Sequence, residues 1–235
     1  MMKRSQTLIP SVVLVVLLSL LVPGFANAEI ISAGVSFTST KGNGHTDDIK
    51  RMIGWQFTVG ANPIVVMELG FQDYSPDGLL TSHQVGIWQL SNQVLIDSAV
   101  VPGGKSGTLD GFFRYAPLAS PTTLASGTTY VIAGFDNGAD RHVWDVALIA
   151  YPNMQVNGFS VDPAITLGAA GTARGPWMES FGFPTSTVPD ARAALMGPNL
   201  KYSVVPEPST FVISVGLILV GLAGYGWRRK RRFPD

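Results

Sequence analysis

"IGWQFTV", residues Ile53–Val59, decides the fold. Ile53, Trp55, Phe57 and Val59 alternate with Gly54, Gln56 and Thr58, the two-residue period of a strand with one face buried. The next apolar stretch, "PIVVMELGF" from Pro63 to Phe71, reads the same way. Val65, Met67, Leu69 and Phe71 are expected on one face, and Glu68 on the other with Gln72 just beyond. Short runs of the same kind follow at Val85–Gln89, Val94–Val101, Phe112–Tyr115, Thr129–Phe135 and Trp144–Ile149. Turn chemistry separates them at Ser75-Pro76-Asp77-Gly78, Pro102-Gly103-Gly104, Ser126-Gly127 and Asn137-Gly138. "NLKYSVV", Asn199–Val205, reads as a last strand. The only helical signal is a turn or two at Ala191–Met196, with Asp190 as N-cap and Gly197-Pro198 as stop. The expected fold is all-β: one antiparallel β-sandwich, Ig-like or jelly-roll-like, over residues 29–204.

Both ends of the chain have a different character. Lys3 and Arg4, the apolar run Val12–Val22, and Ala26-Asn27-Ala28 form a secretory signal peptide over residues 1–28, with cleavage expected after Ala28. At the other end Phe211–Trp227 carries no charge over 17 residues. As a helix it would span about 25 Å, the lower limit for a transmembrane helix. Arg228, Arg229, Lys230, Arg231 and Arg232 follow as a cytoplasmic stop, which orients the body outside. Ahead of the apolar run, Val205-Pro206-Glu207-Pro208-Ser209-Thr210 holds two prolines. They force extended backbone without ladder hydrogen bonds, the form in which a processing enzyme takes a chain.

Charge separates the ends from the middle. Setting aside the seven terminal basic residues leaves nine basic against 15 acidic in residues 29–227, a net of −6. A mildly acidic body with no basic patch argues against nucleic-acid binding. There is no cysteine, hence no disulfide, no thiolate nucleophile and no Cys-ligated zinc.

Pro-Glu-Pro, a short glycine-containing span and an Arg-rich end, in that order, resemble the PEP-CTERM sorting signal, here over residues 205–232 with 233–235 as a tail. The resemblance implies export in a Gram-negative, exopolysaccharide-making bacterium. It also implies removal of the tail by an exosortase, a membrane enzyme using Cys, Arg and His, with this chain as its substrate. A second stretch, "SHQVGIWQLSNQVLIDSAVV" (82–101) with "GFFRYAPLASPTTLASGTTYVIAGF" (111–135), resembles a β-sandwich domain of unknown function found in secreted bacterial proteins, over about Trp55–Phe135. That resemblance implies the fold and the exported setting, and no activity.

Candidate chemistry in the body is sparse. His45, His83 and His142 lack metal-ligand spacing. Asp136-Asn137-Gly138-Ala139-Asp140 places oxygen ligands around a glycine but lacks the 12-residue calcium-loop pattern. No cofactor is assigned, and calcium is the one ion that turn admits. Further acidic residues, Asp47, Asp48, Asp73 and Asp77, read as turn caps. No G-x-S-x-G elbow occurs, and "GGKSG" at Gly103–Gly107, read as a hairpin, has Ala99 where a phosphate loop needs its first glycine. No carboxylate pair is singled out by spacing, so no catalytic residue is assigned and the chain is read as a non-enzyme. Trp55, Trp88, Trp144 and Trp177 are expected mostly in the core, with one open to stack on a sugar. The expected role is an exported envelope or exopolysaccharide-matrix protein with a structural or adhesive body. Its partners would be signal peptidase, an exosortase, the inner membrane and exopolysaccharide. The alternatives are a carbohydrate-binding module, then a polysaccharide-active enzyme.

Overall fold

The computed structural model describes residues 31–40, 49–142, 156–168, 178–187 and 197–205. The signal peptide with Ala26 and Ala28, the strand expected at Trp144–Ile149, the turn at Ala191–Met196 and everything from Pro206 onward lie outside the described residues. Among the described residues every regular element is a strand. In chain order these are β1 Ser32–Ala33, β2 Val35–Ser36, β3 Ser39–Thr40, β4 Arg51–Val59, β5 Ile64–Gln72, β6 His83–Gln89 and β7 Leu95–Val101. Then follow β8 Thr108–Asp110, β9 Phe113–Leu124, β10 Thr129–Asp136, β11 Val156–Asn157, β12 Ser160–Val161, β13 Ile165–Leu167 and β14 Pro198–Val204.

They form two five-stranded sheets, β1-β14-β5-β9-β8 and β13-β4-β10-β6-β7, with two small two-stranded ladders, β11-β3 and β12-β2. All pairs are antiparallel. The inward side chains of both large sheets share one buried cluster. Ile53, Trp55, Phe57 and Val59 of β4 face Leu69 and Phe71 of β5 and Leu200 and Tyr202 of β14. The alternation in "IGWQFTV" is therefore what fills the core. "GGKSG" does not form a hairpin: it lies between β7 and β8, which belong to different sheets.

Strand β5 departs from the expected alternation. Ile64 and Val66 are buried with Leu69 and Phe71, while Val65 and Met67 are only half-buried. The cause is a β-bulge at Met67. On one side the pairing passes from Val66↔Tyr202 to Glu68↔Lys201, and on the other from Val66↔Thr122 to Glu68↔Pro117. One extra residue reverses the facing of everything before it. The same irregularity lets β9 run to Leu124 through Pro117 and Pro121. Strand β8 pairs only as far as Tyr115, so from Ala116 onward β9 has one side outside the ladder with β8, a setting in which proline is tolerated.

Each sheet is also covered on its outer side. Met52, Trp88, Val131 and Ala133 form a second cluster beneath Met178, Phe181 and Phe183, with the Trp88 and Phe181 rings 5.1 Å apart. Over the first sheet Phe37 stacks on Phe112 at 4.9 Å. Asn199 there donates to the Val35 carbonyl and to the Tyr115 hydroxyl, both at 2.8 Å.

Candidate functional site

Ionisable side chains gather at one end of the body, where β4 and β6 begin and β10 ends. Arg51 and Asp136 are register partners, and both lie in phase with inward positions, Ile53 and Gly134. Arg51 Nε lies 3.7 Å from Asp136 Oδ2, and His142 Nδ1 lies 3.5 Å from the same oxygen. Asp136 Oδ1 accepts from the Gly138 N–H at 3.0 Å. All three side chains are buried. Burial pushes the Asp136 carboxyl above the ordinary carboxylate range, against the pull of the Gly138 N–H, His83 and Arg51. It also lowers the Arg51 guanidinium, which Asp136 partly offsets.

His83 sits beside them, fully buried, with its ring stacked on Phe71 at 3.7 Å and 4°. Glycine at 134 makes room for this stack, since a Cβ there would lie 2.8 Å from a Phe71 ring carbon. His83 Nδ1 is 3.0 Å from the Phe135 carbonyl, which only accepts, so Nδ1 donates. Nε2 faces Asp140 Oδ2 at 2.9 Å, with one proton on that line. Asp140 also accepts the N–H groups of Leu80 at 2.7 Å and Thr81 at 3.1 Å, and the Thr81 hydroxyl at 3.2 Å. Burial opposes its ionisation, yet these donors together hold its carboxyl below the usual range.

A further pair ties down the neighbouring connections. Arg114 Nε donates to Asp73 Oδ2 at 2.6 Å, and its Nη1 donates to the carbonyls of Lys105 at 3.3 Å and Gly107 at 3.2 Å. Asp73 Oδ2 also accepts the Gly78 N–H at 3.0 Å. Chemically the arrangement is a set of clamps. Three connections, 73–82, 102–107 and 137–142, are tied to the strand ends, through Asp73 and Asp140, through the Arg114 guanidinium on the Lys105 and Gly107 carbonyls, and through Asp136 and Asp140.

The sequence-derived candidates fall into place unevenly. His83 and His142 share this end but answer to different carboxylates, while His45 lies outside the described residues. Among the described residues no three His, Asp or Glu side chains group to hold a metal ion. The turn Asp136–Asp140 is an Asx turn in which Asn137 Oδ1 accepts the Ala139 N–H at 3.2 Å. Trp55 and Trp88 are both buried, and Trp144 and Trp177 lie outside the described residues. The sequence reading missed Arg51, which the phase of "IGWQFTV" extended by two residues would have turned inward. It also missed Arg114, whose partner is 41 residues away.

At the opposite end β14 runs without a break toward the two prolines. Val204 pairs with Ile64, and the Val205 N–H donates to the Pro63 carbonyl at 2.9 Å. Val205, the first residue of the candidate sorting segment, is thus the last described residue, and it is tied to the sheet. Pro206, Glu207, Pro208, Ser209, Thr210 and the basic cluster Arg228–Arg232 lie outside the described residues. The chain matches none of the curated proteins. Residues 204–232, beginning at the last paired position of β14, match the PEP-CTERM protein-sorting motif, and the chain carries that motif as its C-terminal segment.

Proposed function

We propose that this is an exported protein of the bacterial envelope or exopolysaccharide matrix. Its β-sandwich body serves a structural or adhesive role, and its tail is a removable address. The motif at 204–232 carries this reading, because it implies export, membrane-anchored sorting and processing by an exosortase-type enzyme. In the proposed path the leader is cut after Ala28 and Phe211–Trp227 holds the chain in the inner membrane. Arg228–Arg232 stays inside, and the body reaches the surface once the tail is removed.

Two features of the body support a non-catalytic role. The ionisable cluster around His83 and Asp136 is sealed from solvent, so no substrate reaches it. Sugar stacking needs an open ring, and among the described residues every Trp and Tyr is buried. Among the described residues, then, no tryptophan or tyrosine ring is open to stack on a sugar.

The test is expression in a host with a cognate exosortase, followed by mass spectrometry of the surface fraction. The expected product lacks Phe211–Arg232. A surface form that keeps those residues refutes tail processing. Specific retention of the mature protein on purified exopolysaccharide supports the adhesive role, and retention no greater than that of an unrelated sandwich protein removes it.

A further inference from the structure

Among the described residues, the two ends of the body differ in charge. At the end where β14 finishes lie the connections 60–63, 90–94, 125–128 and 162–164. They hold one charged residue between them, Asp162, and its Oδ1 is occupied by the Tyr202 hydroxyl at 2.7 Å and the Ala164 N–H at 2.9 Å. The opposite end exposes Lys50, Asp77, Lys105 and Arg141. Apolar side chains follow the reverse distribution. Eight large ones are exposed among the described residues, and five of them, Ile31, Val94, Leu95, Val204 and Val205, flank the uncharged end.

Both routes into the membrane-borne segments leave from that same end. Val205 is pinned there by Pro63, and only Pro206–Thr210 separates it from the apolar run at Phe211. Six residue steps reach at most about 20 Å, and the headgroup layer takes up about 5–7 Å of that. On the other side Ile31 adjoins β1, which pairs with the last turns of β14 through Ser32↔Tyr202. Ile31 is three residues beyond Ala28, the proposed leader cut.

From these observations we infer that the uncharged end of the body rests against the lipid surface while the tail is in place. The valine and leucine tips enter the headgroup boundary. Unpaired charge is costly near a bilayer, while apolar side chains on a polar, charge-poor rim, its one carboxylate hydrogen-bonded by the Tyr202 hydroxyl and the Ala164 N–H, suit it. The inference rests on the membrane-anchored reading of the tail and adds which face of the body meets the membrane. It also places the segment to be cut between two fixed points, the end of β14 and a bilayer.

The absence of cysteine makes the test direct. Single variants Ser126→Cys, at the uncharged end, and Lys105→Cys, at the charged end, are labelled with an environment-sensitive fluorophore in the full chain. The two ends are separated by the nine residues of β4, about 30 Å of strand. In phosphatidylcholine–phosphatidylglycerol vesicles containing a headgroup-quencher lipid, the label at 126 is expected to be quenched several-fold more than the label at 105. A chain ending at Val205 should lose that difference. Equal quenching at both positions in a vesicle-bound chain overturns the inference and leaves the anchor reading standing. Failure of the full chain to bind vesicles overturns both. Weak quenching at 126, together with its cross-linking to a membrane protein in cells, assigns this end to a protein partner and overturns the lipid contact.

Discussion

The indole Nε1 of Trp55 donates across the core to the carbonyl of Pro198 at 3.0 Å, joining the centre of one sheet to the first residue of the strand that leads into the sorting motif. The two residues are 143 positions apart. Trp55→Phe keeps most of the apolar volume and orphans a buried carbonyl. It is expected to cost about 1–3 kcal/mol for the unsatisfied group. Trp55→Ala opens a cavity as well and should cost about 3–5 kcal/mol. Equilibrium urea denaturation checks the order.

Arg114 and Asp73 test whether the loop clamps act as the crosslinks the chain lacks. Removing one member of a buried pair strands the other charge. Arg114→Met is therefore expected to destabilise by about 3–5 kcal/mol. The double change Arg114→Met with Asp73→Asn should recover a large part of that loss. Thermal unfolding of the single and double variants measures the coupling, and additive losses would show that the pair does not act as a unit.

The acid behaviour of the body should carry opposite contributions from two neighbouring aspartates. Asp140 has its folded pKa lowered by His83 and by the backbone donors at Leu80 and Thr81, against burial. Its contribution is present above the unfolded aspartate value, about 4. It is lost as pH falls through the lower folded value. Asp136 is raised by burial, so it favours the fold below the unfolded value and loses that contribution as pH rises through its higher folded value. Asp140→Asn is expected to flatten the fall in stability at acid pH. Asp136→Asn should leave that fall in place. Urea midpoints measured across the acid range separate the two.

Gly134→Ala places a methyl against the Phe71 ring that carries His83. Overpacking at such a site is expected to cost about 1–3 kcal/mol. It should also move the His83 ring resonances in an NMR spectrum. A stable variant with unmoved His83 resonances would show that the stack is not held by the space glycine leaves.

Much of the body is legible in local pattern. The alternation from Ile53 to Val59 sets the core face of β4, and Gly, Pro and Asp clusters mark where strands end. "NLKYSVV" is a strand because its apolar residues recur at the right period. The bulge at Met67 was not legible. A bulge is a property of pairing with β14 and β9, and β5 by itself shows only the alternation that put Val65 and Met67 on the same face as Leu69 and Phe71. Trp88 was legible as apolar, yet its burial depends on Phe181, which arrives from far along the chain to cover the outer side of the sheet.

By its sequence alone, this protein is a chain of short strands that ends in an ordered set of two prolines, an apolar run and five basic residues. Strand periodicity and that terminal order are short-range features, set by residues within a few positions of one another. The tertiary structure alone decided that Arg51, Asp136, His83 and Asp140 meet, that Trp55 and Trp88 are closed off, and that the charge-poor end of the body carries the exit to the tail. Each of those outcomes joins residues separated by tens of positions or more. Their meeting depends on sheet pairing and side-chain packing, which no local pattern records.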